Sequence, residues 1–195
     1  MFPERVKLNI ESQIDGFEFT ILERLLSSFS DIENEAKAKR LNYLAEKSKS
    51  FDPDLSDEAC IEEDAYFEEL EHLDVHSSLK TEFLNSSATW LFHLFERQKK
   101  DIFGTDLTAP IKTQLLSDGY DIQNCSDWHL LNKELRTLAN AVKHGSQSDA
   151  AKRLSNDFST LLSNDEIVVN EVDIRKYISA LKAFWSKALY KKVVL

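Results

Sequence analysis

Turns are scarce in this chain. Its 195 residues include only four glycines and three prolines, whereas sandwiches, barrels and doubly wound sheets need tight connections at short intervals. Apolar residues recur instead at three- and four-residue steps, the period of a helix with one face in a core. The chain therefore reads as a single all-α domain, a helical bundle with a long N-terminal helix. Residues 1–50 form a helical arm in this reading and residues 58–192 the bundle core. A hydrophobic content of 42% suffices for one core, and the length gives no reason to assume two.

Along the arm, Ile10, Ile14, Phe17, Ile21, Leu25 and Phe29 make a stripe. Beyond Ser30 the segment is charged, with Leu41 and Leu44 as its main apolar contacts, and it either continues the helix or starts a second one. Pro53 interrupts helix in residues 49–57. The run EEDAYFEELEHLD predicts an acidic amphipathic helix with Tyr66, Leu70 and Leu73 on one side. Its charge is most simply a solvated face; an acidic docking surface for a protein partner is the alternative. Residues 79–103, with Leu79, Phe83, Trp90, Phe92 and Phe95, predict a central helix touched on several sides and stopped by Gly104. A short helix follows over 110–118, with Pro110 in its first turn. Helices are then expected in SQSDAAKRLSNDFSTLL and from Asn170, capped with Asp173, to about Lys191. Ile167–Val169 reads as extended coil, because an isolated strand cannot satisfy its own backbone.

The segment SDWHLLNKELRTLANAVKHG has both ends marked: Ser126 as N-cap and Gly145 as a left-handed terminator. Trp128, Leu131, Leu135, Leu138 and Val142 anchor one side. His129, Lys133, Arg136, Asn140 and His144 cluster on the other. Arg offers a fixed fork for phosphate oxygens, and an imidazole moves a proton near neutral pH. Asn can hold the imidazole tautomer or a substrate hydroxyl. Those are the groups that cleave RNA through its 2′-hydroxyl. The bland account of the row is a solvated face, with Lys143 and His144 complementing the helix dipole.

Other chemistries lack their residues. His72 and His76 lie one turn apart and Glu69 precedes His72 by three, but a carboxylate-bridged di-metal bundle needs that pair twice, so two surface histidines and no metal are expected. Cys60 and Cys125 show no CxxC spacing, and no nucleophile elbow, phosphate loop or dinucleotide fingerprint occurs. No cofactor is expected. A net charge of −10 repels bare nucleic-acid backbone unless basic residues cluster locally. Cysteines without paired spacing, no apolar leader in MFPERVKLNIESQ and no spanning run suggest a cytoplasmic protein, off the membrane.

The stretch ELRTLANAVKHG, followed by SQSDAAKRL, resembles the HEPN superfamily. TWLFHLFERQKKDIF and VDIRKYISALKAFWSKAL are similar to helices of the same proteins, and the likeness extends over about residues 60–190. The resemblance implies a HEPN-like dimeric α-bundle and a metal-independent ribonuclease of a toxin, phage-defence or CRISPR system, although several branches are inactive. Two features depart from the family signature. Seven residues rather than four to six separate Arg136 from His144, and Thr137 follows the Arg, where the family often has Asn or another polar residue.

The expectation drawn from row and resemblance together is a homodimeric endoribonuclease. His144 acts as base or acid, Arg136 holds phosphate, Asn140 orients His144, and Lys133 and Lys143 help bind RNA. The competing expectation is a non-catalytic dimerisation or antitoxin-like module that binds a protein partner near Glu62–Asp74.

Overall fold

The computed structural model describes residues 4–53 and 56–189. It is 82% helical and its sheet is one pair of two-residue strands, so the chain is all-α. In order, α1 is Glu4–Glu18, α2 Ile32–Ser48, α3 Glu58–Phe103, α4 Thr108–Ser117, α5 Ser126–His129, α6 Arg136–His144, α7 Asp149–Asp157 and α8 Glu171–Ala188. Strands β1 (Leu162–Ser163) and β2 (Glu166–Ile167) lie between α7 and α8. The described residues form two compact units: those up to Glu23 with those from Phe83 onward, and Arg24–Glu82. Both boundaries fall inside helical segments, not at the 49–57 loop that divides the expected arm from the expected core.

In the first unit, Ile10 and Ile14 of α1 are buried where it packs on α8, and Lys182 of α8 pairs with Asp15 and Glu18, each at 2.7 Å. The core is aromatic. Phe184 stands 5.6 Å from Phe95, 5.3 Å from Trp128 and 5.0 Å from Trp185, ring centre to ring centre. Edge-on and tilted contacts of this kind add to the area that such rings bury. Two large polar side chains inside are paired: the Trp185 indole N–H donates to Gln98 Oε1 at 2.7 Å, and Tyr177 donates to Glu134 Oε1 at 2.8 Å.

The second unit is an antiparallel hairpin of α2 and the start of α3. Leu26, Ile32, Ala36 and Ala65 are its buried apolar residues. Polar contacts are prominent between its helices: Arg40 donates to Glu62 at 3.3 Å and Glu69 at 3.5 Å, and Tyr43 donates to Asp64 at 3.0 Å.

Several expectations are corrected. The acidic helix and the central helix are one helix, α3, because no Gly or Pro occurs between Glu58 and Phe103. Its apolar stripe is less enclosed than the sequence suggests: Trp90 is 49% exposed, and Leu79, Tyr66 and Leu70 are exposed too. Leu41 is not a main contact of α2, being 64% exposed; Ile32 and Ala36 bury in its place. The long N-terminal helix is present from Glu4 to Phe29, through a π segment (Phe19–Leu25) and a 3₁₀ turn (Leu26–Phe29), but the arm beyond the break at Ser30 is a separate helix, α2. The helix expected through Leu162 ends at Asp157 and continues only as a 3₁₀ turn, Ser159–Leu161. Ile167 is a strand residue after all. Its partner is Leu162, and Asn164 and Asp165 both take positive φ (50° and 64°), as a tight hairpin turn requires. Asn170 and Asp173 do form a reciprocal cap at α8. The expected end of that helix near Lys191 lies outside the described residues.

Candidate functional site

The segment bearing Arg136, Asn140 and His144 is helical from Ser126 to His144 but changes pitch. Leu130–Leu135 is a π segment between α5 and α6. The N-cap is Cys125, whose sulfur accepts from the Trp128 N–H at 3.5 Å, so Ser126 is the first helical residue rather than the cap. Gly145 ends α6 with φ 81° and ψ 174°, a backbone state open to glycine but outside the left-handed helical basin. Trp128, Leu131, Leu135 and Leu138 are buried as the stripe predicts, joined by Ala139 and Ala141, while Val142 is half-buried.

A π turn inserts roughly one extra residue and rotates what precedes it. That rotation takes His129 off the exposed row: its Nε2 donates to the Gln123 carbonyl at 2.6 Å. Its Nδ1, and Asn132 Oδ1, are buried without a hydrogen-bond partner among the described residues.

Within α6, Arg136 and His144 are exposed and Asn140 is half-buried; Lys133 and Lys143 are exposed as well. Positions 136, 140, 143 and 144 share one side of the helix. Among the described residues no side-chain hydrogen bond or ion pair engages any of the five. Asn140 therefore makes no hydrogen bond to His144, and the orienting role expected of it has no counterpart within one chain. No Asp or Glu occurs from Leu135 to Ser148, in a chain with 34 of them. The adjacent Glu134 is occupied by Lys176 (2.9 Å) and Tyr177 (2.8 Å). The result is an exposed cationic row on a helix that carries no carboxylate of its own.

Beneath this segment lies a residue that the sequence reading passed over. Lys99 of α3 is only 2% exposed. Its Nζ lies 4.7 Å from the Phe95 ring centre and 6.0 Å from that of Trp128, and it donates to the Asp106 carbonyl at 3.3 Å. Burial lowers this ammonium from its ordinary 10.5 to about 8; Glu96 opposes the shift and the Arg136 guanidinium adds to it. The signal was available: Lys99 follows Phe92 and Phe95 at helical spacing on the buried side.

The other titratable groups point away from thiol chemistry. Cys60 is exposed, and Asp57 beside it pushes the thiol up, the opposite of an activated thiolate. Cys125 is buried, with the Tyr120 hydroxyl 2.9 Å from its sulfur. Of the surface clefts among the described residues, one is lined by α1 and α8 and another by Leu44, Phe51 and Ile61; these two include no residue of the α6 row. No described helix is long and apolar enough to cross a membrane.

A scan against protein-family models finds no match, and neither a curated protein nor a solved structure matches the chain.

Proposed function

We propose that this chain is a HEPN-like endoribonuclease that acts as a homodimer, with the α6 face as its RNA-cleaving surface. The observation that carries the reading is the exposed row Arg136, Lys143 and His144 on α6, a helix with no acid of its own, whose side chains make no hydrogen bond or ion pair among the described residues. An acidic protein that leaves cations unneutralised on one helix provides a local site for phosphate against its global charge.

In this mechanism an RNA phosphodiester lies against Arg136, whose guanidinium takes the charge that grows on the non-bridging oxygens. One neutral His144 removes the proton of the 2′-hydroxyl, and that oxygen forms a new bond to phosphorus. The bond from phosphorus to the 5′-oxygen breaks, and the leaving oxygen receives a proton from a second imidazole, that of His144 in the other copy. The products are a 2′,3′-cyclic phosphate and a 5′-hydroxyl. Lys133 and Lys143 hold flanking phosphates. Asn140 contacts the substrate hydroxyl rather than His144. The role in growth arrest or phage defence rests on the resemblance of ANAVKHG to that family.

A second reading has its own observation. On α3, Tyr66, Phe67 and Leu70 are exposed among acids, at 48%, 56% and 39%. Large apolar side chains left open beside charge suit a surface that binds protein, and the chain would then be a non-catalytic regulatory subunit. Expression in a bacterial host separates the two. The nuclease reading predicts growth arrest that His144→Ala relieves at equal protein level. Growth unaffected by the wild-type chain, or equally arrested by the variant, favours the interaction module.

A further inference from the structure

Two imidazoles and a carboxylate converge in the unit formed by Arg24–Glu82. His72 and His76 sit on successive turns of α3 and so project from one side of it. Their ring centres are 4.1 Å apart with planes inclined by 33°. From α2, Glu35 Oε2 lies 3.3 Å from His72 Nε2, and one donor atom from each of the three residues lies within 4.8 Å of the other two. The sequence pairs His72 with Glu69. In the folded unit Glu69 is held by Arg40 at 3.5 Å, and Glu35, 37 residues away, takes the place beside the imidazole.

We infer that Glu35, His72 and His76 form a binding site for a first-row divalent transition metal, with zinc as the best fit. Zinc bonds imidazole nitrogen and carboxylate oxygen at about 2.0–2.2 Å, so two donors around one tetrahedral ion stand about 3.4 Å apart. The Glu35–His72 separation of 3.3 Å is close to that edge, and the His76 donor lies within 4.8 Å of both others. The donor set selects the metal. Two nitrogens disfavour calcium and magnesium, which prefer all-oxygen shells, while imidazole with carboxylate suits zinc and its neighbours. A hydrogen bond between His72 and Glu35 accounts for one contact of the trio, but leaves His76 tilted against His72 with no hydrogen-bond partner of its own among the described residues. A shared cation accounts for all three. The His72 side chain is 10% exposed and that of Glu35 50%, so the site opens on one side, where a fourth position is left for water or another ligand. A bound ion would cross-link α2 to α3 in a unit with few buried apolar residues. The inference is independent of the ribonuclease reading, because its donors and the α6 row belong to different units.

The test is a zinc titration of the full chain against a chromophoric chelator, with melting temperature followed in parallel. The site predicts one equivalent bound. It also predicts affinity lowered by about tenfold or more in His72→Ala, His76→Ala and Glu35→Gln, and a zinc-dependent rise in melting temperature that these variants lose. Glu35→Gln and His76→Asn replace side chains outside the core, so they decide the matter if His72→Ala does not fold. Cys60→Ser should leave binding unchanged. Absence of stoichiometric binding, binding unaltered in the histidine and glutamate variants, or binding lost in Cys60→Ser would overturn the assignment.

Discussion

Burying Lys99 among Phe92, Phe95 and Trp128 keeps an ammonium where water cannot solvate it. Its folded value of about 8 lies below the unfolded 10.5. Between those two values the unfolded chain binds more protons than the folded one, so stability rises with pH. Below about 8 both states are protonated and the burial penalty is fully in force; above 10.5 both are neutral and it has gone. The shift corresponds to roughly 3 kcal/mol. Urea denaturation of wild type and Lys99→Met across this window should show the wild type gaining on the variant by about that order. A difference independent of pH would mean that Lys99 is solvated. Gly145 makes a simpler case. At φ 81° and ψ 174°, with no atom within 4 Å of where a Cβ would sit, alanine meets backbone strain and no clash. Gly145→Ala should cost about 1–3 kcal/mol, measured by the same denaturation, whereas Gly16→Ala, inside α1 with open space around it, should be neutral or stabilising.

Among elements, the hairpin β1–β2 depends on a residue of another helix. Asn85 of α3 donates to the Ile167 carbonyl at 2.9 Å and accepts from the Val169 N–H at 3.1 Å, acting as a third strand for two residues. Asn85→Ala leaves the Val169 N–H without that partner and should cost about 2 kcal/mol. Amide exchange at Val169 should speed up with it; an unchanged rate would remove Asn85 from that role. This dependence explains what sequence reading could reach. Local signals gave the loop at Pro53, the buried side of Trp128–Leu138 and the capping box at Asn170, but placed the N-cap of the α5 segment at Ser126, one residue beyond Cys125. Each of those is decided by residues within a turn or two. The hairpin, the π turn at Leu130–Leu135 and the joining of two helices into α3 were not legible in the same way. The first needed Leu162 recognised as a partner for Ile167, the second is imposed by packing, and the third is the absence of a breaker rather than the presence of a signal. The site divides likewise. The exposed side of α6 follows from periodicity, but the removal of His129 from it follows from the π turn. The occupation of Glu134 by Lys176 and Tyr177 depends on α8, 42 and 43 residues away.

The whole chain carries a net charge of −10, yet on one face of α6 Arg136 and Lys143 make no ion pair among the described residues. If that face binds RNA, cleavage should weaken steeply as salt rises, because phosphate contacts release counterions. It should also fall on dilution below the dimer dissociation constant, since each copy supplies one imidazole. The most direct test is single-turnover cleavage of a single-stranded RNA by purified wild type, His144→Ala and Arg136→Ala, with product ends identified and folding checked by circular dichroism. The account predicts 2′,3′-cyclic phosphate and 5′-hydroxyl ends from wild type. It predicts a rate at least about 100-fold lower in His144→Ala, as expected for loss of general acid–base catalysis, with the helical spectrum unchanged. Equal cleavage by wild type and His144→Ala, or none by a dimeric wild type, would contradict it.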